Sequence, residues 1–115
     1  MAKQIHQKFM DANVGDTLTI SASEKSAAVL YAGEIRRIDS DTRFTWSDTE
    51  IEDDVTFVLT KAGSYFVEVL VTFVKQPKTT TVTVEIEGGE SKVVKCDSGD
   101  GLIHMITVAI SVFES

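Results

Sequence analysis

One stretch, residues 57–74, limits what this chain can fold into more than any other. It is the most apolar run in the sequence. From Tyr65 onward the odd positions read Tyr65, Val67, Val69, Val71 and Phe73. The even positions read Phe66, Glu68, Leu70, Thr72 and Val74. A strand sends alternate side chains to opposite faces. One face of this strand is therefore wholly apolar and the other mostly so. Such a strand lies deep in a sandwich, or has one face in a core and the other partly against a partner. Lys61-Ala62-Gly63-Ser64 is the turn that feeds it, with Gly63 free to take positive φ.

The same period of two recurs along the chain. Thr17 to Ser21 alternates with Leu18 and Ile20 inward. Thr42 to Trp46 alternates with Phe44 and Trp46 inward, and Thr79 to Glu87 with Val82, Val84 and Ile86 on one face. Leu102 to Phe113 places His104, Ile106, Val108, Ile110 and Val112 on one side. Val55 to Leu59 and Ser91 to Cys96 read as further strands. Lys3 to Met10 is a weaker one, an edge strand or an N-terminal arm spanning residues 1–10. The run 27–32 is short enough for a strand, though its alanines leave one helical turn open. Residues 34–38 continue it after a break at Gly33. Turn chemistry separates these runs at Asn13-Val14-Gly15-Asp16, Lys75-Gln76-Pro77-Lys78, Glu87-Gly88-Gly89-Glu90 and Asp97-Ser98-Gly99-Asp100-Gly101. About eight closely spaced strands and no helix of ordinary length predict an all-β fold, an antiparallel β-sandwich. The 115 residues are one domain's worth.

Composition narrows the function. A net charge of −7 opposes binding to nucleic acid or to an anionic membrane. No apolar run is long enough to cross a bilayer as a helix. Residues 1–8 carry no apolar core of a secretory signal. The single cysteine, Cys96, forms no internal disulfide, which excludes a disulfide-stapled domain. A cytoplasmic or virion location is the simplest expectation.

The pattern Phe57-x-Leu59-x-x-Ala62-Gly63-x-Tyr65-x-Val67, followed by a long apolar strand, resembles the jelly roll of the tumour necrosis factor and complement globular-head superfamily. The apolar last strand, Leu102 to Phe113, is a weaker match. The resemblance covers Val55 to Phe113. It implies a jelly-roll sandwich, trimeric assembly with the strand after the Gly-x-Tyr entry near the trimer axis, binding through surface loops, and no catalysis. Related jelly rolls recur in phage fibres and other viral surface proteins.

No catalytic motif stands out. Cys96 reads as a small buried hydrophobe with no paired base in sequence. His6 reads as exposed, and His104 as a buried, hydrogen-bonded histidine or a residue near a trimer axis. Neither histidine has zinc-ligand spacing, so no metal or cofactor is expected. Asp48, Glu50, Glu52, Asp53 and Asp54 form an acidic loop that could hold calcium, and otherwise keeps an edge solvated. Arg36, Arg37 and Arg43 are the basic cluster, read as solvated charges or, as a functional reading, as partners of that loop in the same chain or a neighbour.

In a sandwich a strand needs only one inward face. Phe66, Leu70 and Val74 must then be covered, by copies in a homotrimer or, in a monomer, by a loop or the N-terminal arm. Tyr65, Phe66, Leu70, Val74 and His104 are the expected oligomer interface. The expected function is a non-catalytic structural or attachment module of a virion: a phage fibre, head-fibre or capsid-associated protein. Its partners would be copies of itself, then a larger particle or a cell-surface receptor or glycan. The alternative is a monomeric immunoglobulin-like or carbohydrate-binding module, with Tyr31, Trp46 and Tyr65 as sugar-stacking groups.

Overall fold

The computed structural model describes residues 3–23, 29–38, 42–47 and 54–114. Among these residues every regular element is a strand: β1 (Lys3–Asn13), β2 (Thr17–Ala22), β3 (Val29–Arg37), β4 (Arg43–Ser47), β5 (Val55–Val58), β6 (Gly63–Phe73), β7 (Thr79–Ile86), β8 (Ser91–Asp97) and β9 (Ile103–Phe113). They form two sheets. The five-stranded sheet has the order β1-β9-β6-β3-β4, and the four-stranded sheet β5-β2-β7-β8. Only β3–β4 and β7–β8 are hairpins within one sheet. The other successive strands lie in opposite sheets, so the chain repeatedly crosses the core. The result is an all-β sandwich consistent with a jelly roll.

The long apolar run became the middle strand of the larger sheet. β6 pairs antiparallel with β3 on one side and with β9 on the other. Tyr65, Val67, Val69, Val71 and Phe73 all point into the core. Leu18 and Ile20 of β2 and Val82, Val84 and Ile86 of β7 pack against them from the facing sheet. The last strand sends His104, Ile106, Val108, Ile110 and Val112 inward, as its alternation predicts.

Two turns need their glycines. Gly63 enters β6 at φ 133°, where a Cβ would meet the Arg37 guanidinium. That guanidinium donates from Nε to the Ala62 carbonyl at 2.9 Å, and the Tyr65 hydroxyl donates to the Lys61 carbonyl at 2.8 Å. The entry turn is thus hydrogen-bonded to both β3 and β6. Gly88 closes the β7–β8 hairpin at φ 76°.

Two details change. The sandwich is not wholly antiparallel, because β1 lies parallel to β9, from Lys3 opposite Ile103 to Asn13 opposite Phe113. Parallel neighbours need a crossover, and here the whole sandwich supplies it: the chain enters at an edge and returns beside that edge as its last strand. Of the two readings of this segment, residues 3–13 take that of an edge strand. The nine strands among the described residues agree with the expected number of about eight. Finally, Gly33 is not a break. It sits within β3, opposite Trp46 on β4 and Val69 on β6.

The reason for a glycine there is steric. A Cβ at position 33 would collide with the Trp46 indole and come within 2.5 Å of the Glu68 carbonyl oxygen. The bare backbone lets the buried Trp46 lie across the sheet. Gly33→Ala should destabilise the protein by about 1–3 kcal/mol, the usual cost of forcing extra volume into a packed site. Urea denaturation followed by tryptophan fluorescence measures this directly, and an unchanged midpoint would contradict the packing described.

Candidate functional site

Strand register determines what the outer face of the five-stranded sheet presents. Phe9, Ala109 and Phe66 are consecutive cross-strand neighbours on β1, β9 and β6. Ile5, Met105, Leu70 and Ala32 form a second such row, extending to β3. Between them runs a polar row of Gln7, Thr107, Glu68 and Glu34. Phe9 is 73% exposed, Ile5 63%, Ile103 40% and Leu70 38%. Large apolar side chains in contiguous rows on a sheet face are unusual for a surface that meets only water. Two shallow depressions follow the rows, one between Phe9 and Phe66 and one between Leu70 and Ala32.

The charges beside the apolar rows cancel. Arg36 lies 3.6 Å from Glu34 and 3.7 Å from Glu68, and Arg43 Nε lies 3.1 Å from Glu34. The Arg36 guanidinium also sits 5.9 Å from the centre of the Phe66 ring, within cation–π range. The acidic loop with which Arg36, Arg37 and Arg43 could pair lies, over residues 48–53, outside the described residues. Glu34 and Glu68 are described partners of Arg36 and Arg43, brought beside them by the strand register. Arg37 takes no part, because alternation turns it to the other face, toward Ala62.

Of the expected interface residues, Phe66, Leu70 and Val74 are accessible, Val74 just past the end of β6. Tyr65 and His104 are not. Each is 1% exposed and points between the sheets, so neither can touch a copy packed on the outer face. Trp46 is buried as well, leaving both it and Tyr65 out of reach of a sugar. The side chain of Tyr31 lies outside the described residues. So do Asp48, Glu50, Glu52 and Asp53 of the acidic loop; Asp54 is exposed just before β5.

A second constellation forms at one edge of the sandwich. β1 ends the larger sheet and β8 ends the smaller, and the two touch. There His6 of β1, Cys96 of β8 and His104 of β9 converge. One ring nitrogen from each histidine and the Cys96 Sγ lie within 4.8 Å of one another. The imidazoles are nearly parallel, 9° apart, with His6 Nε2 3.1 Å from His104 Nδ1. His104 Nε2 faces the carbonyl oxygens of Asp97 at 3.1 Å and Gly101 at 3.0 Å. Partial burial, and then the neighbouring His104 and Lys8, hold His6 below the ordinary imidazole range, with Asp100 acting in the opposite direction. Burial pushes the Cys96 thiol up to about 11.

Sequence spacing could not show this cluster. Its members are 90 and 8 residues apart, and only the parallel β1–β9 pairing brings His6 beside His104. The expectation of an isolated, exposed His6 is corrected accordingly. The usable signal was on the strand itself: His104 shares the inward face with Ile106 and Val108, so it needed buried polar company.

No family model, no curated protein and no solved structure matches the chain.

The Cys96 thiol is fully buried and protonated near neutral pH. Since the thiolate is the reactive form, iodoacetamide should leave the folded, metal-free protein largely unmodified and alkylate it promptly in denaturant. Mass spectrometry over a time course gives the answer, and rapid labelling of the folded chain would place Cys96 elsewhere.

Proposed function

We propose that the protein is a non-catalytic structural module that assembles with copies of itself through the outer face of its five-stranded sheet. The single observation behind this reading is the pair of apolar rows, Phe9-Ala109-Phe66 and Ile5-Met105-Leu70-Ala32. Fully burying a side chain such as Phe9 or Leu70 is worth about 1.5–3 kcal/mol. Several together can offset the entropy lost on association.

A second copy suits this face better than an unrelated partner. The chain carries a net charge of −7, yet Glu34, Glu68, Arg36 and Arg43 balance one another beside the rows. Two such faces meet without local repulsion. The remaining repulsion acts over longer range and is screened within about 8 Å at physiological ionic strength.

The finer reading is a homotrimer acting as a virion component: a phage fibre, head-fibre or capsid-associated protein, with its loops free to contact a larger particle, a receptor or a glycan. Its support is the sandwich consistent with a jelly roll and the resemblance of residues 55–113 to the trimeric jelly-roll superfamily.

Light scattering coupled to size-exclusion chromatography tests both levels. A mass of three chains is expected, with association strengthening as salt is raised. Phe9→Glu sits on an exposed position, so it should leave the circular dichroism unchanged and lower the mass. A monomer at micromolar concentration and moderate salt would end the assembly reading. A stable dimer would keep the face and remove the threefold axis.

A further inference from the structure

We propose that His6, Cys96 and His104 form a three-ligand site for a divalent zinc ion, and that the ion clips the two sheets together at the β1–β8 edge. The argument begins with the proton on His104. Its Nε2 faces two backbone carbonyls, Asp97 and Gly101. Carbonyl oxygens only accept, so Nε2 carries the hydrogen. In the neutral ring Nδ1 then presents its lone pair toward His6. Zinc-binding histidines show this arrangement: one nitrogen bound to the ion, the other donating to a carbonyl or carboxylate that fixes the ring.

The distances come near those a tetrahedral ion sets, with one adjustment. Zinc–nitrogen bonds of about 2.0–2.1 Å and zinc–sulfur bonds of about 2.3 Å put two ligand nitrogens roughly 3.3 Å apart, and nitrogen and sulfur roughly 3.6 Å apart. The two imidazole nitrogens are 3.1 Å apart, and no pair in the cluster exceeds 4.8 Å. Drawing in the widest pair takes about 1 Å. The ring centroids are 5.4 Å apart, so the two nitrogens point at each other, and the half-buried His6 on its edge strand must turn aside for an ion to reach the His104 lone pair. The donor set of one thiolate and two imidazoles suits zinc, which is borderline soft and indifferent to geometry beyond four ligands.

The proton balance is simple. Cys96 gives up its thiol proton to solvent as the sulfur binds. His6, whose Nε2–H donates to His104 in the metal-free protein, passes that hydrogen to its own Nδ1 through water at the exposed side of the ring. One proton leaves for each ion bound, and the ion with its thiolate carries a single net positive charge. The nearby Asp100 carboxylate favours that charge. Three protein ligands leave the fourth position to water on the solvent side of His6.

Cobalt(II) is the probe, because its spectrum reports both sulfur ligation and coordination number. The whole chain is stripped with a chelator and titrated. Expected are saturation at one ion per chain, a thiolate-to-cobalt charge-transfer band, the intense visible bands of a four-coordinate ion, and displacement by zinc. Zinc should also raise the thermal midpoint and release one proton per ion. Cys96→Ser should abolish the charge-transfer band. His6→Gln lies on the edge strand, outside the packed core, and should weaken binding by at least about tenfold with the fold retained. It decides the matter if the cysteine variant does not fold. Absence of a saturable spectrum, or affinity unchanged in His6→Gln, would overturn the site and leave a hydrogen-bonded histidine pair beside a buried thiol. None of these readouts depends on the association state.

Discussion

The structure depends on the alternation of side chains along β6. This strand lies between β9 and β3, and its inner residues from Tyr65 to Phe73 fill the centre of the core. A one-residue slip would turn Phe66, Glu68 and Thr72 inward and strand Tyr65, Val67 and Val69 in water. Glu68 alone makes that state prohibitive, because a buried carboxylate needs a partner the core does not hold. The register that secures the core also composes the outer face. Leu70 stands beside Met105, and Phe66 beside Ala109, as a direct consequence of Val69 standing beside Ile106. Core and surface are two readings of one pairing.

A sandwich must also close its open sides, and this one does so with different chemistry on each. Where β4 meets β5, aromatic rings span the gap: Phe44 lies 6.3 Å from Trp46 and 6.2 Å from Phe57. Gly33 makes room for that arrangement on the neighbouring strand. Where β1 meets β8, the closing groups are two imidazoles and a thiol, with Phe73 packed edge-on against His104 at 5.6 Å. Rings of carbon need only be covered, whereas imidazole nitrogens need partners. That difference is why the proposed ion site falls on the β1–β8 side and not on the β4–β5 side.

The proposed assembly face and the His/Cys cluster meet on β1. Its even residues His6, Met10 and Ala12 turn inward, and its odd residues Ile5 and Phe9 turn outward. A clip that holds β1 against β8 would therefore also steady half of each apolar row. The two proposals are linked through a strand that has a hydrogen-bonded neighbour, β9, on one side only, and that fixes its place mainly through Met10 and Ala12.

Much of the fold was legible from residues alone. The inward sets of β2, β6, β7 and β9, the glycine entry to β6 and the two-glycine hairpin follow from period-two patterning and backbone sterics, which are local properties. The accessible apolar side of β6 was legible for the same reason. What lay beyond reach was everything that depends on which strand lies next to which. Nothing in residues 3–13 says that they run parallel to 103–113, so neither the Phe9 and Ile5 contribution to the outer face nor the His6–His104 contact could be read. Likewise Gly33 looks like a punctuation mark until Trp46 is placed across it. Alternation is written into each strand because a side chain's direction depends only on its own backbone. Neighbourhood is decided by the whole sandwich, because pairing partners are chosen by the burial that all the strands achieve together.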